Sequence, residues 1–497
     1  MCGIAGVFQG PSQQTVREMV LNISHRGPDG QGVEDLQTGT LGHARLAILD
    51  VEGGHQPMEY QDTSIVFNGE IYNYRSLKRK HLAGLHVRTH SDTEVLLHLY
   101  RKYGPEAVEL LDGMFAFAIH RKSDFFLARD PLGIKPLYYG KTRDGRGFYF
   151  ASEIKALVGH VQEVKEFPAG HWYHSRLGWH KYYQLEETIR PFEGAESDLL
   201  PAIKSSLRSA VHKRLLADVP VGVSLSGGLD SSIVTALARE ETEKLHSFAV
   251  GVEGSPDLAA ARKMSKYLGT IHHEYVYSTQ DMVRALPDVL YYLESFDPAL
   301  VRSAIPNYFL AKLAAEYVKV MLTGEGADEV YAGYDYLAQF DDPLDLQDEM
   351  LHITQALHNT NLQRADRMSM AFGLEARVPF LDVQSVALAM GIPADWKLHG
   401  QRVPKALLRQ AFAGDLPAEI ANRPKAKFSK GAGSSELIAE EAVENISDQE
   451  FASERERLRR DWNYYLGNKE ALYYYRLLRE FYDDPWILPT MGRSRSL

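Results

Sequence analysis

The sequence predicts an α/β protein of two domains, a sheet-rich first half and a second half built on a parallel sheet. Three observations carry this. The chain has 497 residues, more than a single ordinary core encloses. Up to about residue 185 it holds short β-type runs separated by Gly and Asp-Gly turn signals. Beyond residue 198 strand-like runs alternate with helical periods, the pattern of parallel strands joined by helices.

In chain order, Ile4 to Phe8, Leu46 to Leu49, Ser64 to Phe67, Met114 to Ile119 and Phe148 to Ala151 have the composition of strands. Val95, Leu96, Leu99 and Tyr100 recur at helical spacing and predict a helix from Asp92 to Tyr103. Around Glu186 to Ser197 the pattern fades into charged and turn residues, which places the linker there and the domains at residues 2–190 and 198–490. Leu199, Ile203, Leu207 and Val211 then mark a helix, followed by strands at Val219 to Leu225, His246 to Val252 and Val318 to Leu322. A helix bearing Ile233, Val234, Leu237 and Ala238 follows the first of these strands. From about Asp345 the chain is mostly helical and ends in a Tyr-rich amphipathic run near Leu472 to Phe481. No internal repeat or low-complexity tract is present.

Hydrophobic residues make up 44% and charged residues 24%, a globular composition. The formal charge of −11 argues against a nucleic acid or membrane surface as the main partner. Cys2 is the only cysteine, so no intramolecular disulfide can form and a reducing, cytoplasmic setting is expected. The first residues lack the basic and long apolar regions of a signal peptide, and no apolar run approaches a membrane span. The assembly state is open, with a homodimer as one possible form.

Cys2 is also the first candidate for chemistry. A small side chain at the second position permits removal of the initiator methionine, which would leave a thiol beside its own α-amine. That amine titrates near 8, where a general base at neutral pH works well, so nucleophile and base come from one residue. Taken alone, such a cysteine is more often incidental. Its setting reverses that: Cys2-Gly3-Ile4-Ala5-Gly6, His25-Arg26-Gly27-Pro28-Asp29, His43-Ala44-Arg45-Leu46, Asn68-Gly69-Glu70-Ile71-Tyr72-Asn73 and Ser91-Asp92-Thr93-Glu94 follow in order. Together they resemble the class II glutamine amidotransferase domain, an N-terminal-nucleophile hydrolase, over about residues 2 to 185. The resemblance implies an αββα sandwich.

It also implies roles. Arg45 would hold the glutamine carboxylate bidentately, Asp92 the ammonium, with Leu49 and Glu70 completing the glutamine pocket. Asn68 and the Gly69 N–H would stabilise the oxyanion formed when Cys2 attacks. Asp92 has a plain alternative as the N-cap of its helix, and Asn68-Gly69 as a hairpin turn.

The second half contains Val221-Gly222-Val223-Ser224-Leu225-Ser226-Gly227-Gly228-Leu229-Asp230-Ser231-Ser232, a strand running through a Ser-Gly-Gly loop into a helix. Converging N–H groups and a helix N-terminus suit a polyphosphate. No Gly-Lys-Ser/Thr follows, so this is not a Walker A loop. It resembles the loop of ATP pyrophosphatases, which form acyl adenylates. With Thr323-Gly324-Glu325-Gly326-Ala327-Asp328-Glu329, Val378-Pro379-Phe380-Leu381-Asp382 and Arg423-Pro424-Lys425-Ala426-Lys427-Phe428-Ser429, the order from residue 200 to 480 resembles the asparagine synthetase family. The resemblance implies an adenine nucleotide α-hydrolase-like parallel sheet with a helical C-terminal part.

By that resemblance ATP would lie against Leu225, Ser226, Gly227, Gly228, Asp230, Ser231, Val250, Gly251 and Gly324. Asp230 and Asp328 would hold Mg²⁺ on the pyrophosphate, and Lys425 would neutralise the charge developing there. Glu325 would assist ammonia's proton loss. The small-molecule substrates would be glutamine, aspartate and ATP. One segment departs from the family: Asp297-Pro298-Ala299-Leu300-Val301-Arg302-Ser303 keeps the arginine expected on the substrate carboxylate, Arg302, but lacks two threonines. Amidation of another carboxylic acid therefore stays open, as does a glutaminase with an inactive synthetase domain.

Overall fold

The computed structural model describes residues 2–10, 13–142, 145–398, 403–424 and 446–492. The described residues of the first half contain twelve strands, β1 (Gly3–Phe8), β2 (Gly30–Leu36), β3 (Gly39–Arg45), β4 (Met58–Tyr60), β5 (Thr63–Ile71), β6 (Gly113–Arg121), β7 (Asp124–Arg129), β8 (Tyr138–Lys141), β9 (Phe148–Ala151), β10 (Lys165–Glu166), β11 (His171–His174) and β12 (Gly178–Lys181). They form two antiparallel sheets, ordered β10-β8-β9-β1-β3-β2 and β12-β11-β7-β6-β5-β4.

The side chains explain why the sheets stack. Successive residues of a strand face opposite sides, and in β1 Ile4 and Phe8 join Val66, Ala116 and Phe150 between the sheets while Ala5 and Val7 face outward. Helix α1 (Gln13–Asn22) covers that outer face with Val16, Met19 and Val20. In β5, Val66 points inward, whereas Ile65 and Phe67 face helices α2 (Tyr74–His81) and α3 (Asp92–Tyr103). The result is the expected αββα sandwich.

The second half is built on five parallel strands ordered β15-β14-β13-β16-β17: β13 (Val221–Ser224), β14 (His246–Gly251), β15 (Ile271–Val276), β16 (Val320–Leu322) and β17 (Glu375–Arg377). Helices cover both faces, as a parallel sheet requires. Val223, Val320 and Leu322 pack with α4 (Glu196–Arg214) and α5 (Leu229–Glu241). Phe248, Val250 and Met321 pack on the other side with α7 (Thr279–Leu293) and α8 (Pro298–Ala314), α6 (Pro256–Leu268) lying between β14 and β15 in the chain. Further helices used below are α9 (Asn361–Met370), α10 (Ala406–Ala411) and the Tyr-rich α11 (Lys469–Arg479).

One expectation and two of the alternatives set beside the site residues are corrected. Leu46 to Leu49 is not a strand: β3 ends at Arg45, and Leu46 and Ile48 bury themselves in a cluster shared with Leu199, Leu207 and Val223 of the second half. Their apolar run serves a contact between the halves rather than a sheet. Asn68-Gly69 is not a hairpin turn but lies inside β5, paired with Ala116 and Phe115. The N-cap of α3 is Ser91, whose side chain accepts from the Thr93 N–H, and Asp92 is the first helical residue.

Candidate active sites

The first candidate site lies where the sheets of the sandwich face each other. Cys2 immediately precedes β1 and is buried. Its backbone N–H donates to Asn68 Oδ1 at 3.0 Å, joining the start of one sheet to the middle of β5 in the other. Its Sγ lies 3.8 Å from the Leu46 carbonyl oxygen. Burial pushes the Cys2 thiol up from its ordinary pKa. Among the described residues the buried amide Nδ2 of Asn68 has no partner, which leaves a donor to meet an oxygen that develops charge. Gly69 is required beside it, because an added Cβ would sit 2.1 Å from the Met114 carbonyl oxygen.

The other residues expected around glutamine surround this point. Arg45 NH1 and NH2 donate to the carbonyls of Val51 and Asp50, both at 2.8 Å, and Leu49 is buried. Asp92 accepts from the Ile71 N–H at 2.9 Å. Burial outweighs that bond and raises the Asp92 carboxyl to about 6. Glu70 is also raised well above the carboxylate range, by burial and then by the neighbouring Glu375 charge. A cleft of about 680 Å³ opens beside them, lined by Asp50, Val51, Tyr74, His90, Ser91 and Asp218.

The second candidate site lies on the C-terminal edge of the parallel sheet, where such sheets take ligands. The segments after β13, β14 and β16 emerge there side by side. The first carries Leu225 to Ser231 and the third Gly324 to Asp328, while Val250-Gly251 form the C-terminal end of β14 itself. Gly227 has φ +67°, and a Cβ there would meet Ala260 at 2.5 Å. Gly228 caps α5, and the Ser226 and Ser231 hydroxyls lie 3.1 Å apart across the loop. A Cβ on Gly324 would sit 2.9 Å from Asp230 Cβ, so glycine brings the two loops together.

Asp230 and Asp328 converge on one cation. Lys405, just before α10, sits 2.5 Å from Asp230 Oδ2 and 2.5 Å from Asp328 Oδ1. Burial works against its charge, yet the two carboxylates hold its ammonium above the ordinary lysine pKa. Two oxygens that share an ammonium fit the donor set a divalent cation prefers. Lys405 stands in no motif, and its partners are far away in the chain, so nothing local marks it. Lys425 lies outside the described residues. The start of its block is described: Arg423 NH1 donates to the Ser226 carbonyl at 3.3 Å and NH2 to Asp257 at 2.7 Å, which brings Arg423 itself to the loop.

Glu325 pairs with Arg364 of α9, a residue the motifs do not mark. Glu329, buried nearby, accepts from Tyr334 Oη at 2.5 Å and from Asn361 Nδ2 at 3.1 Å. Burial, then the Asp328 charge, raise its carboxyl to about 7. Arg302 is placed differently from the motif residues around the loop. On α8 its Nε donates to Glu470 Oε1 at 2.8 Å and its NH2 to the other oxygen, tying it to α11.

A nucleophile set in one half and a polyphosphate cradle in the other define the class: a glutamine amidotransferase fused to an ATP-using synthetase domain. Comparison with known proteins agrees. Residues 1–188 match the glutamine amidotransferase domain, and residues 202–343 and 338–487 match the asparagine synthase domain. The chain is 37% identical to a probable asparagine synthetase (glutamine-hydrolyzing) of Dictyostelium discoideum, over 99% of this chain and 96% of that one. It is 38% identical to asparagine synthetase B (glutamine-hydrolyzing) of Escherichia coli K12, over 99% and 92% respectively. The chain belongs to the glutamine-hydrolysing asparagine synthetase family.

Proposed function

We infer that this enzyme converts aspartate to asparagine with glutamine as nitrogen donor and ATP as the energy source. The observation that carries the reading is the presence of both centres in one chain similar over nearly its full length to asparagine synthetases.

In the first half, Cys2 attacks the side-chain amide of a glutamine held by Arg45 and Asp92. Asn68 Nδ2 and the Gly69 N–H stabilise the oxyanion, ammonia leaves, and water then releases glutamate. In the second half, the β-carboxylate of aspartate attacks the α-phosphorus of ATP lying along Leu225 to Ser231, Val250-Gly251 and Gly324. The bond to the β-phosphate breaks, pyrophosphate departs and an acyl adenylate forms. Ammonia adds to its carbonyl, loses a proton to Glu325 and expels AMP.

Asp230 and Asp328 would hold Mg²⁺, which supplies charge neutralisation to the pyrophosphate when bound. Lys425, by motif register, and Lys405, by its geometry, serve the same phosphates. Arg302 takes the substrate carboxylate on releasing Glu470. Adenylates hydrolyse and ammonia protonates in water, which motivates a closed interior passage between the halves. No described helix is long and apolar enough to cross a membrane, and the lone cysteine suits a reducing cytoplasm.

The test is pyrophosphate release with ATP, Mg²⁺ and glutamine across a panel of carboxylic acids, with products identified by mass. Aspartate is expected to give the fastest release together with asparagine. Turnover with another acid and none with aspartate would overturn the acceptor.

A further inference from the structure

Arg26 follows α1 and is wholly buried. Its Nε donates to the carbonyl oxygen of Cys2 at 3.0 Å. Together with the bond from the Cys2 N–H to Asn68, this fixes the nucleophile's backbone from both ends. The rest of the guanidinium is held by two carboxylates. NH1 donates to Glu153 at 2.6 Å and to Asp366 at 2.8 Å, and NH2 donates to Asp366 at 3.2 Å.

Asp366 belongs to α9, in the other half of the chain. Lys135 donates to the same carboxylate at 3.3 Å. Burial opposes its ionisation, but Arg26 and Lys135 keep its carboxyl below the usual range. Two residues earlier, on the roughly opposite side of the same helix, Arg364 pairs with Glu325 at the second site. The turn that follows α9 carries Gly373 at φ +61°, where a Cβ would lie 3.0 Å from Pro28, two residues beyond Arg26. A helix of ten residues thus touches the supports of both centres.

Stability alone does not call for this arrangement, since buried ion pairs are often replaceable by apolar residues without loss. A bidentate carboxylate does fix a guanidinium plane, and here the plane sets the position of the Cys2 carbonyl. We propose that Asp366 is a positioning residue of the glutaminase centre, supplied by the synthetase half, and that α9 ties the placement of Cys2 to that of Glu325. The proposal rests on the roles assigned above to Cys2 and Glu325. Removing the Asp366 charge leaves Glu153 as the one carboxylate described on Arg26 and lets the Cys2 backbone shift. The glutamine ligands Arg45 and Asp92 are untouched, so kcat suffers rather than KM.

The experiment uses full-length wild type, D366N and D366E, reading glutamate release from glutamine and ammonia-driven asparagine synthesis. D366N is expected to lose about tenfold to a hundredfold in glutaminase kcat, the cost of a misplaced reacting group. Its KM for glutamine and its ammonia-driven synthesis stay within about threefold. D366E, which keeps the charge but moves it by one methylene, falls less, by about threefold. ATP with aspartate changes the wild-type glutaminase kcat by about fivefold, a typical coupling between sites, and D366N abolishes that change.

The proposal is overturned if D366N leaves glutaminase kcat intact. It is equally overturned if both activities fall together with the melting temperature, as a purely stabilising network would make them. Should D366N not fold, D366E decides alone: an unchanged glutaminase kcat contradicts the role. A wild-type enzyme that cannot hydrolyse glutamine at all would instead break the underlying assignment.

Discussion

At Cys2 the consequence of substitution depends on the nitrogen source. Cys2→Ala is expected to lower glutamine-dependent synthesis by about a thousandfold or more while synthesis from ammonium salts persists, as parallel product assays would read. Asn68→Ala removes both the acceptor of the Cys2 N–H and a buried amide donor that has no partner among the described residues, and should lower glutaminase kcat by about a hundredfold to a thousandfold. Its KM for glutamine should move far less, a split that steady-state kinetics resolves.

Asp92 supplies a pH dependence. Its folded-state pKa of about 6 lies above the unfolded value, so the stability it contributes is present at low pH and lost as pH rises through 6. Binding of the glutamine ammonium requires the ionised form. The kcat/KM for glutamine should therefore climb as pH rises through about 6 and then level. Asp92→Asn should raise KM by roughly thirtyfold, equivalent to about 2 kcal/mol for a charged hydrogen bond, and flatten that limb.

At the scale of elements, the loops after β13 and β16 meet around Lys405. Removing this buried cation takes an ion-pair partner from both Asp230 and Asp328. Lys405→Met should cost about 3–5 kcal/mol of stability in denaturant titrations of the nucleotide-free protein and raise the KM for ATP. An unchanged unfolding midpoint would contradict the geometry described.

The motifs at strand ends were legible because each is a contiguous run whose composition matches its turn. Lys405, Arg364 and Asp366 were not, because their partners lie far away in the chain and no local pattern marks them. β17 escaped notice for a related reason. It reads Glu375-Ala376-Arg377, yet both charged residues are buried and paired with each other at 2.5 Å.

At the scale of the whole molecule, short β-type runs between turn signals marked the first half as sheet-rich, the resemblance implied its sandwich, and the helix–strand period marked the parallel sheet. What such runs could not separate was an apolar stretch bound for a sheet from one bound for an interface, as Leu46 to Leu49 demonstrates. The halves share more than that run. Arg377 of β17 lies 3.4 Å from Glu70, and Lys319 donates to Asp29 at 2.6 Å. With an apolar cluster common to both halves, thermal unfolding should appear in calorimetry as one cooperative transition. Two separated transitions would mean the halves fold independently.

Nitrogen transfer from one centre to the other is the claim on which the rest depends. The most direct measurement supplies amide-¹⁵N glutamine, aspartate, ATP and Mg²⁺ to the full-length enzyme in the presence of unlabelled ammonium, and follows the products by mass. ¹⁵N-labelled asparagine formed in step with AMP and pyrophosphate is the predicted result. Release of glutamate without labelled asparagine, or cleavage of ATP to ADP and phosphate, would contradict it.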